Sequence, residues 1–438
     1  MYCIRGLHNS GGMERVLSVK ANLLASRGHE VSIVVLRLKG RKPFFPIDPS
    51  VNIVDLSAPY LSLPGHPSSA NATSDSPRTT VSSAVGNASN PASCSARTES
   101  SASPASSAAG ITSVPATGAS ERLKGSVRKR LSRVVEMLDP DVCVSLCGPE
   151  VRILPAVAGG RPCVAEYHFS HDKFYRKYGG IFLYPYAWLR THMLERAVSE
   201  YDCMVTLTEH DLPIWKRHCR RVERIFNPVT TPPGQVSRLA EKRMIAVGRL
   251  EDQKNFKDLV SAWSIVAERC PDWRLEIFGE GKLEHALRSQ IARLGLTGSV
   301  ILRGVVKDIA SEYSSSSALL MTSLHEGFPL ALVEASSFGL PLISYDCPTG
   351  PSEIIVDAGD GGGVGNVPAA TLDQEAGNTP NGYLVPVGDV RTLADRICRI
   401  ASDDNLRLRL GAASKASSRR FTPETIISAW ERLFFSLL

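Results

Sequence analysis

No C-x-x-C pair occurs in this 438-residue chain; its ten cysteines are scattered, and Cys143 and Cys147 stand four apart. Zinc-ribbon and dithiol redox chemistry therefore lack their usual signature. Most of the cysteines fall in apolar runs, which reads as reduced core thiols in a cytosolic protein. No run of about 20 apolar residues exists, so no membrane span is expected. The opening MYCIRGLHNSGG lacks the basic and apolar regions of a secretory leader. Because the first strand starts almost at Met1, the native start reads as trimmed by a few residues. One D-x-D occurs, Asp139–Asp141, just before an apolar strand, where it reads as a helix-to-strand turn. No obligatory divalent metal is expected. The Gly11-Gly12 loop falls short of a full G-x-G-x-x-G.

What is there is ordinary globular composition, 43% apolar and 21% charged, in a chain long enough for two cored domains. The net charge of +6 permits an anionic ligand or membrane surface and demands neither; no nucleic-acid partner is expected. Residues 2–7 read as a strand and NSGGMERVLSVKANLLASRGHE as a loop entering a helix. Met13, Val16, Leu17, Ala21 and Leu24 form one face of that helix, and Gly28 closes it. VSIVVL then completes a β-α-β unit of Rossmann type. Residues 64–120 are Ser, Ala, Thr and Pro with almost no large apolar side chain. They are expected to be a disordered surface insertion with its ends close together. A basic amphipathic helix from Glu121 follows, then strands at DVCVSL, PCVAEYHF and CMVTLT. Near Asn227-Pro228 the pattern thins into TTPPGQ, an interdomain linker. A second β-α series runs through MIAVGRL, RLEIFGEG, SVILRGVV, ALLMTS and PLISYD. These patterns divide the chain into domains at 1–228 and 229–422, with a flexible loop over 359–380. The helix at 423–438 would pack back on the first domain. Alternating strands and helices in both halves imply an α/β protein of two doubly wound parallel sheets facing a cleft.

The most telling stretch is SLHEGFPLALVEASSFGLPLISYD, residues 323–346. Pro329 suits a first helical position, Gly339 the left-handed residue after the last turn, and Pro341 prevents continuation. Glu326 then lies at the carboxyl end of a strand, where open α/β sheets bind ligands, and Glu334 lies along the helix starting there. In VGRLEDQKNFKDLVSAW, Arg249 and Lys254 flank a turn into a helix whose buried stripe is Phe256, Leu259, Val260, Trp263 and Val266. Two cations at a helix start make an anion site suited to a diphosphate. Gly11 and Gly12 permit close backbone approach at another helix start, and His168 ends a strand on the cleft side.

The order R-x4-K, FGEG, RG, EGFPLALVE and NGYLVPVGD resembles the carboxyl-terminal domain of retaining glycosyltransferases of family four, with the GT-B fold. EGFPLALVEA followed by SYDCPTGPSEII looks most like the bacterial branch that extends lipid-linked oligosaccharides and polysaccharides, and NSGGMERVL is similar to that branch's amino-terminal loop. The resemblance implies an acceptor-side first domain and a nucleotide-sugar-binding second one. It implies a metal-independent retaining transferase with a UDP-sugar donor and no other cofactor, acting on a polyprenyl-diphosphate-linked glycan. In that reading Glu334 meets the ribose, Glu326 and His168 the donor sugar, and Arg249 and Lys254 the diphosphate. Backbone N–H groups of Gly327, Phe328 and Leu330 by Pro329 assist the diphosphate, and Arg303, Gly304 and Val305 meet the base. Gly11 and Gly12 approach the phosphates or the acceptor as the cleft closes. An epimerase or phosphorylase of the same architecture, or a non-catalytic scaffold, stays open as an alternative. Basic residues from Arg122 to Arg133, and an aromatic segment from Lys173 to Arg190, suggest peripheral attachment to the inner face of an anionic membrane.

Overall fold

A computed structural model describes residues 1–58, 60–61, 121–122, 126–178, 182–231, 234–359 and 379–438. The Ser-rich segment 64–120 and nearly all of the 359–380 loop lie outside them. Two parallel sheets organise the rest. The first contains β1 (Tyr2–Ile4), β2 (Ser32–Val35), β3 (Asn52–Asp55), β4 (Cys143–Ser145), β5 (Cys163–Glu166), β6 (Cys203–Thr206) and β7 (Val222–Arg224), in the spatial order 3-2-1-4-5-6-7. The second contains β8 (Arg243–Val247), β9 (Arg274–Phe278), β10 (Val300–Gly304), β11 (Ala318–Met321), β12 (Leu342–Tyr345) and β13 (Gly382–Val385), ordered 10-9-8-11-12-13. In each sheet the strand order reverses beside the first strand, and that switch point opens a crevice at the carboxyl ends.

Helices on both faces bury these strands, so β5, β11 and β12 are buried at every position. That is why they read as continuous apolar runs rather than as alternating ones. The edge strand β7, with sequence VER, is only partly buried and escapes the apolar-run criterion. The helices that matter for the cleft are α1 (Gly12–Ser26), α2 (Val127–Leu138), α3 (Tyr184–Val198), α4 (Phe256–Arg269), α5 (Leu330–Ser337) and α6 (Pro423–Phe435). All five expected stripe residues of α4 are buried. Two expectations shift. The helix placed from Glu121 begins at Val127, because Glu121–Arg122 are held extended in an antiparallel pair with Tyr60–Leu61. Pro329 occupies the N-cap of α5, one residue ahead of the first helical position, with extended backbone at ψ 98°.

The last helix belongs to the core of the first domain. Ile426, Ile427, Trp430 and Leu433 of α6 are buried with Leu17, Ala21 and Leu24 of α1. Arg27 and His29 both bind Glu431, at 2.6 and 3.0 Å. Within this core sits a charged pair: Lys20 of α1 donates to both oxygens of Glu166, each at 2.6 Å, and both residues are about 1% exposed. The Lys20 ammonium also lies 3.9 Å from the Trp430 ring centroid, a cation–π contact strengthened by desolvation. Burial alone would raise the Glu166 carboxyl, but attraction to Lys20 and His168 prevails and holds it at about 2, below its ordinary 4.5.

A depressed carboxyl contributes stability that is complete above its unfolded pKa and fades as pH falls toward the folded value. The stability of the first domain is therefore expected to drop between pH 4.5 and about 2. Glu166→Gln should flatten that slope and, by leaving Lys20 buried without its counter-charge, cost about 3–5 kcal/mol at neutral pH. Urea melts followed by circular dichroism across pH check both statements. A Glu166→Gln protein as stable as the parent at pH 7 would show the pair to be dispensable.

Candidate functional site

Lys254 and Glu326 come together at the switch point of the second sheet, in the loops leaving β8 and β11. Lys254 Nζ is 2.6 Å from Glu326 Oε1, with the lysine side chain 18% and the glutamate 9% exposed. Backbone contacts hold the two loops in register. Leu324 N donates to Gln253 O, and Gln253 Nε2 donates to His325 O, both at 2.8 Å. Thr322 Oγ1 reaches the carbonyls of Lys254 and Asn255. Asn255 at φ 48° turns the chain into α4. The FGEG loop lies hard against this turn: a Cβ on Gly279 would meet Gly248 O at 1.9 Å, and one on Gly281 would meet Leu250 O at 2.5 Å. Arg249 stands in the same turn with its side chain 70% exposed and 3.3 Å from Glu251.

The loop carrying Glu326 and Gly327 is gripped from behind by the 348–351 segment. Thr349 Oγ1 donates to Glu326 O, and Gly350, at φ 100°, lies against Pro329 so closely that a Cβ would be 2.6 Å from its Cδ. Phe328 faces inward, 7% exposed, and stacks on Phe226 with centroids 5.4 Å apart. Only its backbone is therefore positioned to serve the cleft. Leu330 opens α5 against Gly12, where a Cβ would lie 3.1 Å from Leu330 Cδ1. Glu334, one turn further on, is 3% exposed. Its carboxylate accepts from Thr230 Oγ1 at 2.8 Å and Tyr313 OH at 3.2 Å, and it pairs with Arg15 Nη1 at 2.8 Å. Arg15 belongs to the first turn of α1, so this ion pair crosses between domains. Burial, then the Glu334 charge, pushes the Tyr313 hydroxyl well up.

From the first domain, His168 enters two residues past β5. A Cβ on Gly327 would meet His168 O at 2.5 Å, so the strand end touches the Glu326 loop directly. The His168 side chain is 5% exposed, and its Nε2 lies 3.1 Å from Glu166 Oε1 but misaligned for a hydrogen bond. Beside Gly11 the Glu14 carboxylate folds back, accepting from Asn9 Nδ2 at 3.3 Å, and so sets a negative charge at this helix start. The Arg303 guanidinium is engaged in a fork on Glu276, at 2.8 and 2.9 Å, with Arg243 on the same carboxylate. At that strand end Gly304, at φ 70°, and Val305, 68% exposed, remain open. Among the described residues, the structure thus assembles Lys254, Glu326, Gly327 and His168 in one place. Glu334 is adjoining, and Arg249 lies on the rim. Sequence reasoning missed Arg15, Thr230 and Tyr313 around Glu334, and Lys20 and Glu166 behind His168. Nothing in their local sequence announces these roles, because each depends on an interaction across 21 residues or more.

Comparison with known proteins is consistent with this geometry. Residues 232–417 match the family model "Glycosyl transferases group 1". An uncharacterized glycosyltransferase of Haemophilus influenzae is 24% identical over 98% of both chains. The amylovoran biosynthesis glycosyltransferase AmsD of Erwinia amylovora is 31% identical over 43% of this chain, a match spanning about half of that relative, 47%. Among solved structures, HepE of Anabaena, crystallised with UDP and glucose, superposes with a TM-score of 0.62 at 15% identity, covering 99% of this chain and 98% of that one. Residues 232–417 are a group 1 glycosyl transferase domain, and the chain that carries them shares with HepE the GT-B arrangement of two Rossmann-like domains.

Proposed function

We propose that this enzyme moves a sugar from a UDP-sugar to a growing, lipid-linked glycan with retention of anomeric configuration. The observation that carries the reading is the Lys254–Glu326 pair at the second switch point, with Arg249 solvated beside it. Lys254 and Arg249 neutralise the diphosphate, and the N-terminus of α5 adds its positive end and unpaired N–H groups. Charge that grows on the leaving UDP is then met by fixed cations, so the transfer step needs no divalent metal. Glu326 accepts from donor-sugar hydroxyls once Lys254 turns to the phosphate. Glu334 accepts from the ribose, whose hydroxyls replace Thr230 and Arg15 as donors. The base lies along Gly304 and Val305. His168, held from behind by the buried Glu166, reaches the sugar from the first domain. The anomeric carbon loses its bond to the phosphate oxygen and gains one to the acceptor oxygen on the same face. The acceptor proton passes to the departing phosphate. UDP and glucose in the HepE complex, and the amylovoran biosynthesis named for AmsD, support the choice of donor and pathway class.

UDP release, measured with and without a polyprenyl-diphosphate glycan over a panel of UDP-hexoses and UDP-N-acetylhexosamines, tests the reading. Release that needs no acceptor would favour an epimerase instead. Lys254→Ala and Arg249→Ala are each expected to lower turnover by about 10²-fold. Glu334→Ala should chiefly weaken UDP binding in calorimetry, and Glu326→Gln should also slow the chemical step. Turnover should persist when Mg²⁺ and Mn²⁺ are left out of the buffer. Parent-like rates for both cation variants would move the diphosphate site elsewhere.

The acceptor reading also calls for a membrane-facing surface. Phe182 is 94% exposed, and Leu183, Tyr184, Trp188 and Leu189 are 45–56% exposed around the start of α3. Lys173 lies over the Phe169 ring at 3.0 Å, and Arg190 lies 4.9 Å from the Phe174 ring centroid. Amphipathic rings among cations suit a headgroup layer, at about 1 kcal/mol per basic residue. No helix of the described residues is long and apolar enough to cross a membrane. On α2, Arg130 is committed to the Leu56 carbonyl at 2.7 Å, which leaves Arg128, Lys129 and Arg133 as its exposed cations, the last paired with Glu136 at 3.3 Å. Flotation with anionic liposomes should show binding that fades at high salt. Phe182→Ser/Trp188→Ser and Arg128→Glu/Lys129→Glu should each weaken it. Indifference to both pairs would leave these surfaces as ordinary solvated ones.

A further inference from the structure

Three imidazoles surround one carboxylate beside the cleft, and the transfer chemistry uses none of them. His171 Nε2 lies 2.8 Å from Glu195 Oε1, and His218 Nε2 faces the same oxygen at 3.4 Å. His192 Nδ1 approaches the other oxygen at 3.5 Å. These groups come from separate segments. His171 is in the loop leaving β5, three residues past His168; Glu195 and His192 are on α3; His218 follows the one-turn helix Leu212–Trp215. Packing fixes the two innermost rings. Both meet the buried Trp215 edge-on, with centroids 5.1 and 6.4 Å away, and they lie nearly parallel to each other, 15° apart.

One donor atom each from His171, Glu195 and His218 lies within 4.8 Å of the others. Two imidazole nitrogens and a carboxylate oxygen are a borderline-soft set that suits zinc and its neighbours rather than magnesium or calcium. Metal–ligand bonds of about 2.0–2.1 Å in a tetrahedral site place ligand atoms roughly 3.3 Å apart. The 3.4 Å spacing already fits, and the 2.8 Å contact need open by only about half an ångström. Partial exposure of Glu195 and His218, 16% and 29%, leaves a path from solvent and a fourth position for water or His192. We propose that His171, Glu195 and His218 bind a zinc-type divalent ion. The ion clamps the loop behind His168 to α3 and to the 215–218 segment, and so fixes the wall from which His168 reaches the cleft. It takes no part in the sugar transfer, so the site stands or falls independently of the donor reading.

The experiment uses the full chain stripped with a chelator and titrated with Zn²⁺ by calorimetry, and with Co²⁺ by absorbance. One equivalent should bind, the thermal midpoint should rise with metal, and the cobalt spectrum should lack a thiolate charge-transfer band. Glu195→Gln and His218→Ala should each weaken Zn²⁺ at least ten-fold, and His285→Ala, at an exposed position, should not. A parent protein that takes up no Zn²⁺ at tens of micromolar overturns the proposal. So does a thiolate band, which would point to Cys147, Cys270 or Cys398, the partly exposed free cysteines among the described residues. Unchanged binding in either folded variant overturns it as well. If one variant fails to fold, the other and the cobalt spectrum decide.

Discussion

Lys254 and Glu326 stand 72 residues apart and meet at 2.6 Å because two parallel strands, β8 and β11, lie side by side at the point where the strand order of the second sheet reverses. A half-buried ion pair is a poor source of stability, since desolvation offsets most of its Coulomb gain. Its value lies in placement. The carboxylate holds the ammonium at the switch point, within reach of the diphosphate in the proposed reading. The surrounding loops obey the same constraint. The Gln253 and Thr322 side chains bond to backbone carbonyls of the opposing loop, and Gly279 and Gly281 have no room for a side chain.

Contact between the domains depends on glycine as strictly. Gly327 touches the His168 carbonyl, and Gly12 touches Leu330; a side chain at Gly327 would have to displace main chain, which cannot yield as a flexible side chain can. Polar links complete the closure. Arg15 bridges to Glu334, Arg224 pairs with Glu353 at 3.1 Å, and Glu209 N donates to that same carboxylate. Phe226, Phe328 and Phe421 pack mutually, with centroids 5.2–5.8 Å apart, giving the junction an apolar centre with charged contacts around it.

Much of this was legible in the sequence, and the divide follows the range of the interaction. Buried parallel strands announce themselves as apolar runs, and the α4 stripe as a 3.6-residue period, because both are set by neighbours in sequence. Glu326, Glu334, Arg249 and Lys254 were placed in the site by a family resemblance carried by spacing, and the fold brings Lys254 and Glu326 together with Arg249 on the rim. Arg303 was placed by the same resemblance, but its guanidinium is taken by Glu276 from an adjacent strand, a partner that no local pattern marks. The start of α2 was misplaced because strand pairing across a long insertion overrode helix propensity. The Glu195 cluster was invisible for a related reason: ligand spacings of 24 and 23 residues, His171 to Glu195 to His218, belong to no contiguous motif, and only the fold brings the groups together.

The three donors on Glu334 bear on how the proposed substrate would be recognised. Thr230, Tyr313 and Arg15 already satisfy that carboxylate, so ribose hydroxyls exchange one set of hydrogen bonds for another. Such an exchange nets little, since even a typical intramolecular hydrogen bond contributes only about 0.5–1.5 kcal/mol. In the proposed reading affinity would then come mainly from the diphosphate meeting Lys254, Arg249 and the start of α5. In the proposed reading Glu334 would act instead as a discriminator. A ligand that displaces Arg15 without offering hydroxyls would leave a buried carboxylate short of donors, a penalty larger than the gain from a matched ribose. Because Arg15 sits on α1 and pairs with Glu334, that exchange would also loosen a link between the domains and so would couple occupancy of the proposed ribose site to the opening of the cleft.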